Sequence, residues 1–146
     1  MLPRQTGGNR VTTGRQVPYC LFTDPELAHI GLHETEAKMQ GIPYRLFKVP
    51  MEINLRARTL SETRGFVKAL VEADSDRILG FTAFGIGAGE VLAAVQIAMI
   101  GGLPYTALRD AVLTHPTLVE GLIPLFSSAP SVHNVVETRG AQISAA

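Results

Sequence analysis

His115 and Glu120 lie five positions apart in a 146-residue sequence. They form its one histidine–carboxylate pair with a readable geometric logic. His115 precedes Pro116, which pushes its backbone out of the α region into an extended conformation. Thr117 then reads as a helix N-cap, with Glu120 in the first turn. That places the imidazole just outside a helix start and the carboxylate just inside it, close enough to meet. A carboxylate on one ring nitrogen fixes the tautomer and leaves the other nitrogen for proton transfer. A second reading uses the same residues. Thr117-x-x-Glu120 is also a capping box, in which Glu120 reaches back to the Thr117 amide and His115 is a loop histidine.

Other candidates carry less chemistry. His29 and His33 stand at i and i+4, a metal-ligand spacing on a helix, but Gly31 lies between them and no third ligand is near. Cys20 is the only cysteine, so it forms no internal disulfide. Its apolar surroundings, Val17 to Phe22, suit a small buried hydrophobe. Arg56 and Arg58 in a loop could meet a phosphate, but a solvated or ion-paired face accounts for them as well. Gly85-Ile86-Gly87-Ala88-Gly89-Glu90 follows a strand and opens a helix, as a dinucleotide-binding turn does. The third glycine of that motif is replaced by Glu90, which favours a tight strand-to-helix turn with close packing. His133 is assigned no role.

The elements that position these residues follow from periodicity. Strands are expected over Val17–Phe22, Tyr44–Val49, Gly65–Glu72 and Ile78–Phe84, the last two joined as an antiparallel hairpin. Val67, Ala69 and Val71 alternate with Lys68 and Glu72. Thr23-Asp24-Pro25-Glu26 reads as a turn and possible helix start, Glu34–Gln40 as a short helix ended by Gly41, and Pro50–Leu60 as irregular. Helices are expected over Gly89–Ile100, over Tyr105–Val112, and from Thr117 to about Phe126, where Pro124 could shorten it. The Gly89–Ile100 helix is apolar nearly all round, broken only by Glu90 and Gln96. Such a helix needs cover on every side, and one sheet covers one side, so a further layer or another subunit is expected. Polar, Gly/Thr-rich residues 1–16 read as a linker or truncated edge, residues 17–126 as the domain, and residues 127–146 as a mobile tail.

Composition bounds the rest. Thirteen basic residues balance 13 acidic ones, and 46% of residues are apolar. Neither nucleic acid nor an anionic membrane is an expected partner. There is no signal-peptide core and no apolar run of membrane-spanning length. The lone thiol suits a reducing, cytoplasmic setting.

Four pieces occur together and in order: Phe22-Thr23-Asp24-Pro25-Glu26, then Glu62-Thr63-Arg64-Gly65-Phe66-Val67-Lys68, then Gly87-Ala88-Gly89-Glu90, then His115-Pro116-Thr117. Over residues 17–126 the sequence resembles the C-terminal dimerisation domain of the pyridine nucleotide-disulfide oxidoreductases, the family of dihydrolipoamide dehydrogenase, glutathione reductase and mercuric reductase-like enzymes. The resemblance implies an α+β fold, an antiparallel sheet with helices packed on it, self-associating about a two-fold axis. It implies that His115 serves as acid/base toward the redox dithiol of the other subunit, with Glu120 as its orienting partner. It further implies that Pro116 follows a cis peptide beside the partner's FAD, with the His115 carbonyl near the flavin ring. The sequence has no Cys-x4-Cys dithiol, no complete Gly-x-Gly-x-x-Gly and neither nucleotide-binding domain. FAD and NAD(P)H therefore belong to the parent enzyme and its FAD- and NAD-binding domains, and neither is expected on this chain alone. The alternative is a stand-alone homodimerisation module without activity of its own. A free nucleotide binder using Gly85–Glu90 is a third reading.

Overall fold

The computed structural model describes residues 16–134. The stretch expected to be a linker thus falls, except for Gln16, outside the described residues. Six strands form one antiparallel sheet in the order β1-β2-β5-β4-β3-β6. They are β1 (Tyr19–Leu21), β2 (Leu27–Gly31), β3 (Tyr44–Pro50), β4 (Phe66–Glu72), β5 (Ile78–Phe84) and β6 (Ser131–His133). The expected α+β architecture is the one observed.

Alternation in β4 does what the pattern requires. Val67, Ala69 and Val71 enter the main core, while Lys68 points to the opposite face and pairs with Glu34 at 2.6 Å. The main core lies between the sheet and three helices: α3 (Ala88–Ile100), α4 (Tyr105–Arg109) and α5 (Leu122–Ser127). Val91, Leu92, Val95 and Ala98 of α3 are buried. Phe47 of β3 meets Tyr105 and Phe126 at ring distances of 5.1 and 5.7 Å, which seats α4 and α5 on the sheet. A smaller cluster of Ala37, Tyr44, Leu70 and Leu79 covers the far face beneath α1 (Glu34–Met39). The outer side of α3 finds no such cover within the described residues: Ile97 and Ile100 are each 67% exposed.

Four local expectations need correction. The stretch after Glu26, expected to open a helix, is strand β2, because Ala28 and Ile30 are fully buried and the backbone pairs with both β1 and β5. The irregular Pro50–Leu60 contains a 3₁₀ turn, Met51–Ile53, and a short helix α2 (Leu55–Thr59). The helix expected from Thr117 begins as a 3₁₀ turn, Val119–Gly121, and becomes α5 only at Leu122. Pro124 falls in the first turn of α5, where a missing N–H has no intrahelical partner to lose. The expected tail includes β6, which pairs with β3, and His133 stacks on Tyr44 with centroids 4.8 Å apart. Among the described residues, no helix is long and apolar enough to cross a membrane.

Placing His29 on β2 takes it out of any helical pair. It stands opposite Thr82 of β5, with Nδ1 2.9 Å from the Thr82 hydroxyl and Nε2 2.9 Å from the Gly31 carbonyl. A carbonyl only accepts, so Nε2 donates, and in the neutral ring Nδ1 accepts from Thr82. His33, at the start of α1, stacks on His29 at 3.5 Å and touches the Tyr19 hydroxyl at 3.3 Å. Burial pushes the His29 pKa below its ordinary 6.5; the Gly31 carbonyl and Glu36 act against this, and His33 and Lys68 act with it. The unfolded chain therefore takes up a proton that the folded chain refuses. The stability contribution is complete above the ordinary value and is lost as pH falls below it. Urea midpoints should drop as pH is lowered through about 6.5, and His29→Gln should remove that part of the slope. An unchanged slope in the variant would mean that His29 accepts its proton inside the fold.

Candidate functional site

The chain runs from α4 through Thr114 and a cis His115–Pro116 peptide into the Val119–Gly121 turn. The cis bond agrees with what the resemblance implied. Thr117 ties the loop to itself: its hydroxyl donates to the Thr114 carbonyl at 2.7 Å and accepts from the Glu120 amide at 3.3 Å. That is one half of a capping box. The other half is not made, because the Glu120 carboxylate turns to His115 instead. Its two oxygens stand 2.8 and 3.0 Å from His115 Nδ1. An ionised carboxylate only accepts, so Nδ1 carries the proton and Nε2 of the neutral ring is left with its lone pair free.

Burial differs between the partners. The imidazole side chain is 60% exposed and the carboxylate 27%. Among the described residues Glu120 is the ring's only hydrogen-bond partner. Beside the pair lies a depression of about 160 Å³ lined by Ile53, Leu55, Ile123 and Pro124, with Asn54 and Gly121 at its floor. On a largely exposed ring, a nitrogen held in one tautomer next to an apolar hollow can take a proton from or return it to a group docked from outside.

The glycine turn does not build a phosphate cradle. Gly87 caps α3 in the left-handed region, at φ 63° and ψ 27°. A Cβ there would lie 2.5 Å from a methyl of Leu118, so that side chain fills the space above the turn. A Glu26 carboxylate oxygen sits 3.5 Å from the Gly89 amide, and Glu90 occupies the first turn of α3. Carboxylates already satisfy the positive end of this helix, and a pyrophosphate would meet their charge. The glycine serves close packing against the segment that carries His115.

The remaining candidates stand apart from the pair. Arg56 and Arg58 are exposed on α2. Cys20 is half-buried against the main core, and burial raises its pKa. Both ring nitrogens of His29 are committed as described, which leaves no lone pair for a metal. One residue at the site was missed by sequence reasoning. Asn54 is buried between α2 and the Val119–Gly121 turn. Its signal was present, since an asparagine directly before Leu55-Arg56-Ala57-Arg58 is a helix N-cap pattern.

Comparisons with known proteins bear on this geometry. A family model described as the pyridine nucleotide-disulphide oxidoreductase dimerisation domain matches residues 17–124. The chain is 37% identical over 121 residues to the probable pyridine nucleotide-disulfide oxidoreductase RclA of Escherichia coli K12, covering 82% of this chain and 27% of that protein. It is 38% identical over 104 residues to the dihydrolipoamide dehydrogenase of Chaetomium thermophilum, covering 71% of this chain and 21% of that protein. The solved structure of the HOCl-induced flavoprotein disulfide reductase RclA from Escherichia coli superposes with a TM-score of 0.78 at 37% identity, over 82% of this chain and 28% of that one. The chain spans roughly a quarter of the length of these relatives.

The contact between Gly87 and Leu118 makes a specific demand. Gly87→Ala should lower the unfolding free energy by about 1–3 kcal/mol, from left-handed strain and displacement of Leu118. Urea denaturation measures it, and a variant as stable as the parent would show that the turn has slack.

Proposed function

Because this chain belongs to the pyridine nucleotide-disulphide oxidoreductase dimerisation-domain family, we propose that it pairs with a second copy of itself and supplies His115 and Glu120 to that copy's dithiol–flavin site. The observation that carries the proposal is the His115 Nδ1–Glu120 bond, which leaves Nε2 of a largely exposed ring without a hydrogen-bond partner among the described residues. In this reading Nε2 takes the proton of an attacking thiol and returns it to the departing sulfur. Glu120 holds the ring in place and steadies the imidazolium that forms meanwhile.

The sequence holds a single cysteine, so the dithiol comes from another region of the enzyme. The α3 turn, closed by Leu118 and Glu26, does not fit a nucleotide. FAD and NAD(P)H are therefore assigned to the enzyme's other domains, and this chain meets the flavin only along the exposed His115-Pro116 edge. Held by those other domains, FAD would supply the electrons that open the disulfide, and NAD(P)H would replenish them. The substrate class is a disulfide or dithiol, and the setting a reducing, cytoplasmic one. Self-association is supported by α3, whose buried side is already used and whose outer Ile97 and Ile100 lie open.

A second reading rests on that single cysteine: by itself the chain dimerises and does no redox chemistry. The two readings describe different lengths of protein and meet in one experiment each. Sedimentation of the purified chain should show a dimer without flavin absorbance. A strict monomer would overturn the self-association, and a yellow chain the assignment of FAD to other domains. In a holoenzyme that joins this domain to FAD- and NAD(P)-binding domains, His115→Gln should slow disulfide reduction roughly 10²–10⁴-fold while flavin content and dimer mass stay the same. Turnover equal to the parent's would remove His115 from the chemistry.

A further inference from the structure

We propose that Asn54 is a positioning residue for the His115–Glu120 pair: one side chain caps α2 and, from its other end, grips the turn that carries Glu120. The side-chain oxygen accepts from the Arg56 and Ala57 amides at 2.9 and 3.2 Å. The side-chain nitrogen donates to the Leu118 carbonyl at 2.8 Å, across 64 residues of sequence. This assignment of oxygen and nitrogen is the one the surroundings permit. Two backbone amides need an acceptor, and a carbonyl needs a donor; a flipped amide would fail all three. Asn54 is 5% exposed; its bond to the Ala57 amide is buried, and those to Arg56 and Leu118 are partly buried.

Local bonds alone do not place the carboxylate. Thr117 ties Thr114 to Glu120, but that knot is closed within the loop and could drift as a unit. Asn54 joins it to the segment that leaves β3, and so to the sheet. Gly121 completes the fit: a Cβ there would lie 2.6 Å from the Asn54 nitrogen, so the backbone of the turn rests directly on the amide. Leu118 is thus held twice, by its carbonyl on Asn54 and by its side chain over Gly87. Two residues further on, Glu120 has little choice of where to present its oxygens. Asn54 makes no hydrogen bond to His115; it acts through Glu120, and a role in turnover rests on the function proposed above.

The two ends of the side chain can be separated by substitution. Asn54→Ser keeps an oxygen suited to capping α2 but is too short to reach Leu118. Asn54→Asp keeps the acceptor and loses the donor. The readout is the imidazole nitrogen shifts of His115 in the 146-residue chain, recorded where the ring is neutral, together with hydrogen exchange of the Arg56 and Ala57 amides. The parent chain should show His115 protonated at Nδ1. Both variants should keep slow exchange at Arg56 and Ala57, while His115 passes to the tautomer mixture of a free imidazole. An Nδ1–H tautomer untouched in Asn54→Ser would overturn the proposal, as would a mixture already present in the parent chain. If the tautomer shifts as expected while His115→Gln leaves holoenzyme turnover unchanged, the catalytic reading fails and the positioning role stands. If the tautomer holds and His115→Gln is slow, the reverse follows.

Discussion

Strand β5 is buried along nearly its whole length, from Ile78 to Ala83, and that one fact organises the molecule. A strand hidden on both faces obliges the chain to cover the sheet twice. Helices α3, α4 and α5 take one face, and α1 takes the other, over Tyr44, Leu70 and Leu79. Contact is so close that Gly80 has no room for a side chain: a Cβ there would lie 2.1 Å from the Leu32 carbonyl oxygen. The one polar side chain carried into this layer, Thr82, is satisfied by His29 from the neighbouring strand. An unpaired hydroxyl there would cost more than any contact it could replace. The imidazole on β2 is thereby explained as part of the sheet rather than as a ligand.

The same demand shapes the route to the site. The chain leaves β5 and must turn at once into α3 to keep the sheet covered, which Gly87 allows by adopting the left-handed region. The absence of a side chain there leaves space, and Leu118 fills it from the segment that bears the histidine. What resembles a nucleotide-binding turn is thus a seat for the candidate site. The carboxylates of Glu26 and Glu90 near the same helix start reinforce that use, since they satisfy its positive end with the protein's own charge. Packing and chemistry meet at a single leucine.

Much of this architecture was legible beforehand because it depends on local pattern. Alternation in β4, the apolar run of β5 and the glycine before α3 each point to one structure, and each is found. Strand β2 was not legible: five residues with a histidine in the middle carry no clear period, and pairing on both sides decides them. Strand β6 was hidden in the same way, since three residues form a strand only when β3 offers an open edge. Helix α2 had a local signal in Asn54, whose oxygen caps it at Arg56 and Ala57; what lay beyond any local window is the third bond of that side chain, to Leu118, 64 residues away.

For the site the division is sharper. The sequence by itself determined that His115 and Glu120 lie close enough to meet, because a proline after the histidine holds it just outside the turn that carries the glutamate. It also determined that α3 would carry more apolar surface than one sheet can cover. It left open which of two roles the glutamate would take, helix cap or histidine partner, since both satisfy the same spacing. Only the tertiary structure decided that. Thr117 satisfies the Glu120 amide, Asn54 holds the Leu118 carbonyl, and Leu118 is seated on Gly87, so the carboxylate is carried to the imidazole rather than back to the Thr117 amide. The physical reason is that local bonds fix the shape of a turn, whereas contacts distant in sequence fix where that shape sits and what it faces.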